Sequence, residues 1–161
     1  MRKIYIGHSE IAGRGIFANT EFVRNETLFT VQGEIRHDSY GPNYSVGSRW
    51  FGIDDRIWLA LPTKSYANYL NHSCNPTCGV KDQVVIVAMR RIQKGEEITL
   101  DYSTTEADPF WKMRCRCGKQ DCRKIIRSIQ FLPEEIYRNY EPLVPEFVRR
   151  ARVRMKDSMP E

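Results

Sequence analysis

The sequence predicts a mainly β domain of the α+β class, with helices placed after the strands in chain order. Three observations predict it. Short runs rich in Val, Ile, Thr and aromatic residues recur through the first hundred positions, punctuated by Gly, Asn, Asp and Pro. No long amphipathic helix interrupts them, which disfavours a parallel sheet built on crossover helices. After Cys122 the pattern changes to helix-start signals and helical spacing. The chain has 161 residues, of which 41% are hydrophobic and 28% charged, enough for one soluble domain with its own core.

In order, strands are expected at Lys3–Ile6, Gly15–Ala18, Thr27–Val31, Arg49–Ile53, Arg56–Leu59, Val84–Ala88 and Glu97–Leu100. Turns at Arg24-Asn25, Gly41-Pro42-Asn43, Asp54-Asp55 and Lys94-Gly95 separate them. Ser65–Leu70 suits a short helix. Pro133-Glu134-Glu135 reads as a helix start, with Pro at the first position and acids in the first turn. Pro145-Glu146 repeats the signal. Phe147, Val148, Ala151 and Met155 then share one helical face, and Arg149, Arg150, Arg152, Arg154 and Lys156 are expected to form a solvated basic face.

The net charge of +5 mildly favours acidic partners. The N-terminal residues hold no apolar run of signal-peptide length, and no segment has the length of a membrane span. An intracellular setting with reduced thiols is expected, cytoplasmic in a prokaryote and nuclear in a eukaryote or virus. Five cysteines, an odd number, argue against a complete disulfide framework.

Gly13-Arg14-Gly15-Ile16-Phe17-Ala18 fits the loose dinucleotide pattern G-x-G-x-x-A. That fingerprint needs a helix directly after it, and the stretch from Asn19 to Glu26 leads into another strand instead, which disfavours a nicotinamide site. A second motif, Asn71-His72-Ser73-Cys74-Asn75-Pro76, is turn chemistry with three hydrogen-bonding side chains in succession. A third is Cys115-Arg116-Cys117-Gly118 closing at Cys122. It supplies three of the four ligands that a tetrahedral zinc takes, and Cys74 and Cys78 are the thiols left for the fourth. The charged residues around the cluster, Arg114, Arg116, Lys119, Asp121 and Arg123, do not suit an apolar core.

Taken together these segments resemble the SET-domain protein lysine methyltransferases. GRGIFA at 13–18 looks like that family's first cofactor-contacting loop and NHSCNP at 71–76 like its signature turn. GEEITLDY at 95–102 looks like the strand ending in its catalytic tyrosine, and CRCGKQDC at 115–122 like its zinc-binding post-SET segment. The resemblance runs from about residue 3 to residue 126. It implies small curved sheets with a knot-like threaded segment, a zinc-bound post-SET loop and C-terminal helices. The division is a SET catalytic region over 1–112, a post-SET segment over 113–126 and a helical extension over 127–161. No cysteine-rich segment precedes the motifs, which suits a minimal member of microbial or viral kind.

The same resemblance implies an activity. Methyl would pass from S-adenosylmethionine to a lysine of a basic protein such as a histone or histone-like protein, with nucleic acid an indirect partner. Tyr102 would be the catalytic residue. Arg14, Gly15, Asn71, His72, Phe110 and Trp111 would hold the cofactor. Cys74, Cys115, Cys117 and Cys122 would bind one structural zinc, leaving Cys78 spare. Trp58, Tyr66 and Tyr69 are candidate walls of a lysine channel. Val31 stands where the family often has a tyrosine, which Tyr40 or Tyr44 would have to replace. Asn68 stands for a common arginine, Thr77 for an asparagine and Lys124 for a glycine. Leu100 occupies the position through which family members limit methyl number. These departures motivate an alternative, a catalytically weak or inactive interaction module that keeps the fold and the zinc. A nucleic-acid-binding zinc protein ranks last, because the chain has no finger-like helix with ligand histidines.

Overall fold

A computed structural model describes residues 2–37 and 50–157, with side chains described as far as Arg154. Arg49, Tyr40, Tyr44 and the Met155 side chain lie outside the described residues. The chain forms β1 (Ile4–Ser9), β2 (Gly13–Ala18), β3 (Thr27–Thr30), β4 (Glu34–His37), β5 (Trp50–Asp54) and β6 (Ile57–Ala60). A 3-10 turn (Tyr66–Tyr69) leads into β7 (Asn71–His72), β8 (Cys78–Lys81), β9 (Val85–Ala88) and β10 (Glu97–Leu100). A second 3-10 turn (Tyr102–Thr104) precedes β11 (Lys112–Arg114) and β12 (Ile125–Arg127). A third (Ile129–Phe131) precedes α1 (Glu134–Tyr140) and α2 (Glu146–Asp157).

The main sheet runs β1-β2-β10-β8-β9-β3, and β7 also pairs with β10. Most pairs are antiparallel, but β10 lies parallel to both β7 and β8. Through these pairings Asn71 and His72 sit against Thr99 and Leu100, and the amides of Ser73 and Thr77 donate to the Leu100 and Thr99 carbonyls. The polar turn is thus stitched along the strand that ends at Leu100, two residues before Tyr102. A second sheet is ordered β4-β6-β5, and β11 and β12 form a hairpin across the cysteine loop. Ile16, Phe22, Ile86, Ile92 and Ile98 are fully buried between the elements of the main sheet.

The expected strands are present, and five more appear, among them the two-residue β7 within the polar turn motif. All of β4 (Glu-Ile-Arg-His) is exposed, so its residues carry no alternating burial for a pattern to reveal. β8 contains a glycine and is buried on both faces over Cys78–Val80, again without alternation. The short β11 and β12 are fixed by the loop between them rather than by their own patterning. Pro133 is the N-cap of α1 rather than its first residue, so the helix starts one residue later than predicted.

The helices do not hang free. Ile129, Leu132, Tyr137, Tyr140, Val144, Phe147 and Val148 form a second apolar cluster. Leu143 packs on Gly79 so closely that a Cβ there would come within 2.6 Å of the Leu143 Cβ, and the Leu143 carbonyl accepts from the Val80 amide at 3.1 Å. Glycine at 79 is therefore a requirement of helix docking. Arg150 bonds Asp54 at 2.6 Å, fastening α2 to the end of β5. The basic face needs one correction. Arg152 is only 5% exposed; its Nη1 donates to the Ile129 and Leu132 carbonyls, its Nη2 to Glu134, and its guanidinium lies over the Tyr137 ring. It clamps the turn before α1 to α2 by donating to carbonyls at the end of the third 3-10 turn; the Ile129 carbonyl also accepts from the Leu132 amide at 3.2 Å.

Candidate active site

β2, β7 and β10 bring three of the sequence motifs to one place. Asn71 is buried, and its Nδ2 donates to the Arg14 carbonyl at 2.8 Å, to Glu97 Oε1 at 2.8 Å and to Ser9 Oγ at 3.1 Å. Ser9 also donates to Glu97 Oε1 at 2.8 Å. These side chains lie directly beneath Gly15, where a Cβ would sit 2.3 Å from Glu97 Oε1 and 3.0 Å from Asn71 Nδ2. The glycine pair thus permits close approach of backbone to a polar knot. Arg14 projects elsewhere, its guanidinium 4.5 Å from the Tyr69 ring.

His72 is equally buried. The Tyr102 amide donates to its Nδ1 at 3.2 Å, which leaves the ring proton on Nε2, 3.4 Å from Cys74 Sγ. Burial pushes its pKa down to about 4, against the opposing pull of Asp101, so the ring is neutral at physiological pH. The Tyr102 ring meets it edge-on at 5.4 Å, and the Tyr102 hydroxyl donates to the Leu70 carbonyl at 2.7 Å. Main chain on one side and histidine on the other fix the phenol's position.

Beneath the tyrosine lies Asp101, 0% exposed. A buried carboxylate is tolerated only when fully paired. Here Arg123 Nη2 donates to both its oxygens at 2.7 and 2.6 Å, Tyr140 donates its hydroxyl at 3.0 Å, and the Ser103 amide donates at 3.0 Å. Burial works against charge on Arg123, yet the facing Asp101 carboxylate and the Cys74 sulfur hold its pKa above the ordinary value. Burial, and then the Asp101 charge, raise the Tyr140 hydroxyl.

The sulfur atoms of Cys74, Cys115, Cys117 and Cys122 all lie within 4.8 Å of one another. In a zinc–thiolate tetrahedron with bonds of about 2.3 Å, neighbouring sulfurs stand about 3.8 Å apart. Cys74 and Cys115 are already at 3.7 Å. The donor set therefore fits one zinc. Cys78 is not part of it; it is fully buried and donates to the Thr99 carbonyl at 3.2 Å. The choice between the two thiols left open by spacing falls to Cys74.

A cavity of about 620 Å³ opens over these groups, lined by Glu10–Gly13, Asn71, His72, Tyr102 and, from β11 and the cysteine loop, Met113, Arg114 and Arg116. Its size lies in the range of small-molecule sites. Phe110 is 89% exposed and Trp111 packs on the cysteine cluster; neither lines the cavity. Tyr66 tilts against Phe29 and Trp58 meets Trp50 edge-on. Val31 is buried at 3% in the main core and offers the site nothing. The sequence reading missed Ser9, Glu97, Asp101, Arg123 and Tyr140. Two of them carried a signal: Glu97 and Asp101 bracket an otherwise apolar strand, and carboxylates so placed are candidates for buried pairing.

The comparisons with known proteins agree with this geometry. The chain is 32% identical over 141 residues to the histone-lysine N-methyltransferase trithorax of Drosophila virilis, covering 77% of this chain. It is 31% identical over 136 residues to histone-lysine N-methyltransferase 2D of Homo sapiens, covering 75%. It spans only 4% and 2% of those relatives' own lengths. The crystal structure of KRYPTONITE in complex with mCHG DNA and SAH superposes with a TM-score of 0.60 at 21% identity, over 76% of this chain and 28% of that one. That likeness shows the mainly β fold of curled sheets. The SET-domain profile matches residues 13–103, from the first glycine of the close-approach strand to the serine that follows the buried Asp101 and Tyr102, and the chain belongs to the SET-domain family.

Proposed function

We propose that this chain is an S-adenosylmethionine-dependent protein-lysine N-methyltransferase. Its substrate is a lysine of a basic protein, such as a histone or histone-like protein. The observation that carries the reading is the cavity in which Asn71 and His72 meet a Tyr102 hydroxyl held by the Leu70 carbonyl, walled by the segment that bears the cysteine cluster. Three regions divide the work: 1–112 for catalysis, 113–126 for zinc and cavity wall, and 127–161 as support. The setting is intracellular, cytoplasmic in a prokaryote and nuclear in a eukaryote or virus, and nucleic acid enters only as something the substrate is bound to. Among the described residues no helix is long and apolar enough to cross a membrane.

S-adenosylmethionine supplies a methyl group already activated on a sulfonium, so no covalent nucleophile is needed. Asn71 and His72 line its pocket with Gly13, from which the backbone of Arg14 and Gly15 runs on, and Phe110 and Trp111 are close in sequence to the wall residue Met113. Arg114 and Arg116 give that wall positive charge suited to the cofactor's carboxylate. The target lysine must lose its proton, whose ordinary pKa is about 10.4. A narrow channel beside a cation lowers it by desolvation and like-charge repulsion. The Tyr102 proton is committed to the Leu70 carbonyl, so the phenol oxygen presents lone pairs to an amine N–H or a methyl C–H. The largest gain is alignment of amine, methyl and sulfur. Zinc held by Cys74, Cys115, Cys117 and Cys122 fastens the wall to the signature turn.

The test is transfer of labelled methyl to histones and other basic proteins. Tyr102→Phe is expected to lower transfer by about 100-fold or more while S-adenosylmethionine still binds in calorimetry. Equal labelling by both proteins removes Tyr102 from the mechanism. A second reading, the weak or inactive interaction module, is favoured by one observation, the burial of Val31 where the family often carries a tyrosine. Zinc-loaded protein that fails to bind S-adenosylmethionine selects that reading.

A further inference from the structure

Arg123 follows the last cysteine of the cluster and reaches in two directions. Its amide and its Nε both donate to Cys74 Sγ, at 3.4 and 3.5 Å. Its Nη1 donates to Ser103 Oγ at 3.2 Å and its Nη2 to both oxygens of Asp101. Asp101 and Ser103 are the two neighbours of Tyr102. One side chain therefore joins a thiol of the cysteine cluster to both flanks of the tyrosine. Its guanidinium is half-buried and the carboxylate it faces is wholly buried.

We propose that Arg123 is a positioning residue that couples metal loading of the cysteine cluster to the geometry around Tyr102, and so to occupancy of the cofactor cavity. The inference rests on the methyltransferase reading and names a regulating link inside that site. Two physical arguments support it. Four thiolates around a divalent cation leave a net charge of −2, and N–H donors to the sulfur ease that excess; partners of this kind are worth roughly 10–100-fold in metal affinity or activity. Only a guanidinium carries donors in a rigid planar fork, so the Nε bond to sulfur and the Nη bonds to Asp101 and Ser103 lock to one another. A lysine keeps the charge but cannot make the three contacts together. A shift of the cluster is thereby passed to the backbone that donates to His72 Nδ1 and carries the hydroxyl facing the cavity.

Coupling of this kind is reciprocal: whatever factor zinc adds to cofactor affinity, cofactor adds to zinc affinity. The experiment measures zinc affinity of the full chain by competition with a chromophoric chelator, with and without saturating S-adenosylhomocysteine. In the wild type the ligand is expected to raise zinc affinity about tenfold, within the usual range of coupling between sites. In Arg123→Lys the ratio is expected to drop to about twofold, with one zinc still bound per chain and the circular dichroism unchanged. Cys78→Ser, outside the machinery, keeps the wild-type ratio. A ratio in Arg123→Lys equal to that of the wild type overturns the proposal, as does a wild-type ratio of one in protein that binds S-adenosylhomocysteine in calorimetry. The latter result leaves the methyltransferase reading standing. Absence of calorimetric binding to the zinc-loaded wild type removes both. Should Arg123→Lys not fold, the wild-type ratio alone decides, together with Ser103→Ala, which deletes one arm of the fork and is expected to reduce the ratio partway; an undiminished ratio there counts against the proposal.

Discussion

The stretch 71–102 pairs with β2 and β3, and the stretch 127–157 packs on β5 and on β8 of the first stretch, yet the two are built on opposite plans. The first buries polarity: Asn71, His72, Ser73, Thr77, Thr99 and Asp101 are all hidden, Thr77 and Thr99 bonding each other while Asn71 and Asp101 reach Ser9, Arg14, Arg123 and Tyr140. The second buries apolar side chains along two short helices and, among the described residues, a single charge, Arg152. Buried polar networks fix one geometry at high cost if any member is lost, whereas apolar packing tolerates change in proportion to the volume removed. A turn that must hold a ligand gains from the first plan. A support that only has to stay docked is served by the second.

That contrast can be broken or sharpened by substitution. The largest effect is expected from Cys74→Ser, at the junction of the polar turn and the metal cluster. Zinc content should fall from one per chain to near zero by metal analysis, and methyl transfer by at least about 100-fold, whereas Cys78→Ser keeps its zinc. Next comes Arg152→Ala, which removes the guanidinium donor from the Ile129 and Leu132 carbonyls and leaves Ile129 only the Leu132 amide. It should cost about 2–4 kcal/mol in urea unfolding with zinc saturating, without changing zinc content. If zinc is lost as well, the two regions are less separable than their packing implies.

Tyr140→Phe removes the one side-chain bond from the helices to Asp101. A loss of about 1–2 kcal/mol is expected, with a larger effect on methyl transfer than Arg152→Ala causes. The smallest effect sits at the seam. Glu106, whose carbonyl accepts from the Ile129 amide, has its carboxyl pushed up to about 7 by burial and by the Asp108 charge. The folded protein therefore holds this proton more tightly than the unfolded chain. Its contribution is fully present below about pH 4.5 and is lost as pH rises through 7. Glu106→Gln should unfold with a flatter pH profile, gaining about 1–2 kcal/mol over the wild type at pH 8 relative to pH 5.

Legibility from sequence followed the same contrast. The expected strands show because apolar side chains alternate or cluster between turn residues, and the helix starts show through Pro and acids. β4 and β8 do not, because one is wholly exposed and the other wholly inside over its first three residues. The site was legible where residues form contiguous motifs: Asn71, His72 and Tyr102 line one cavity and the four cysteines lie together. Residues that act as lone partners were not, since nothing near Ser9 or Tyr140 announces a bond to Glu97 or Asp101. Arg152 was misread for a different reason. Charge was taken to mean solvent, although its spacing of four from Val148 puts it on the apolar face.

The Arg123–Asp101–Tyr140 convergence also orders events in time. A chain made from its N-terminus presents Asp101 before Arg123 or Tyr140 has been synthesised. Until both arrive, enclosing that carboxylate leaves a bare charge out of water, so the turn beside it stays open. Closure of that turn therefore waits on residue 140, and the ribosome's direction of travel sets the moment at which the carboxylate is sealed in.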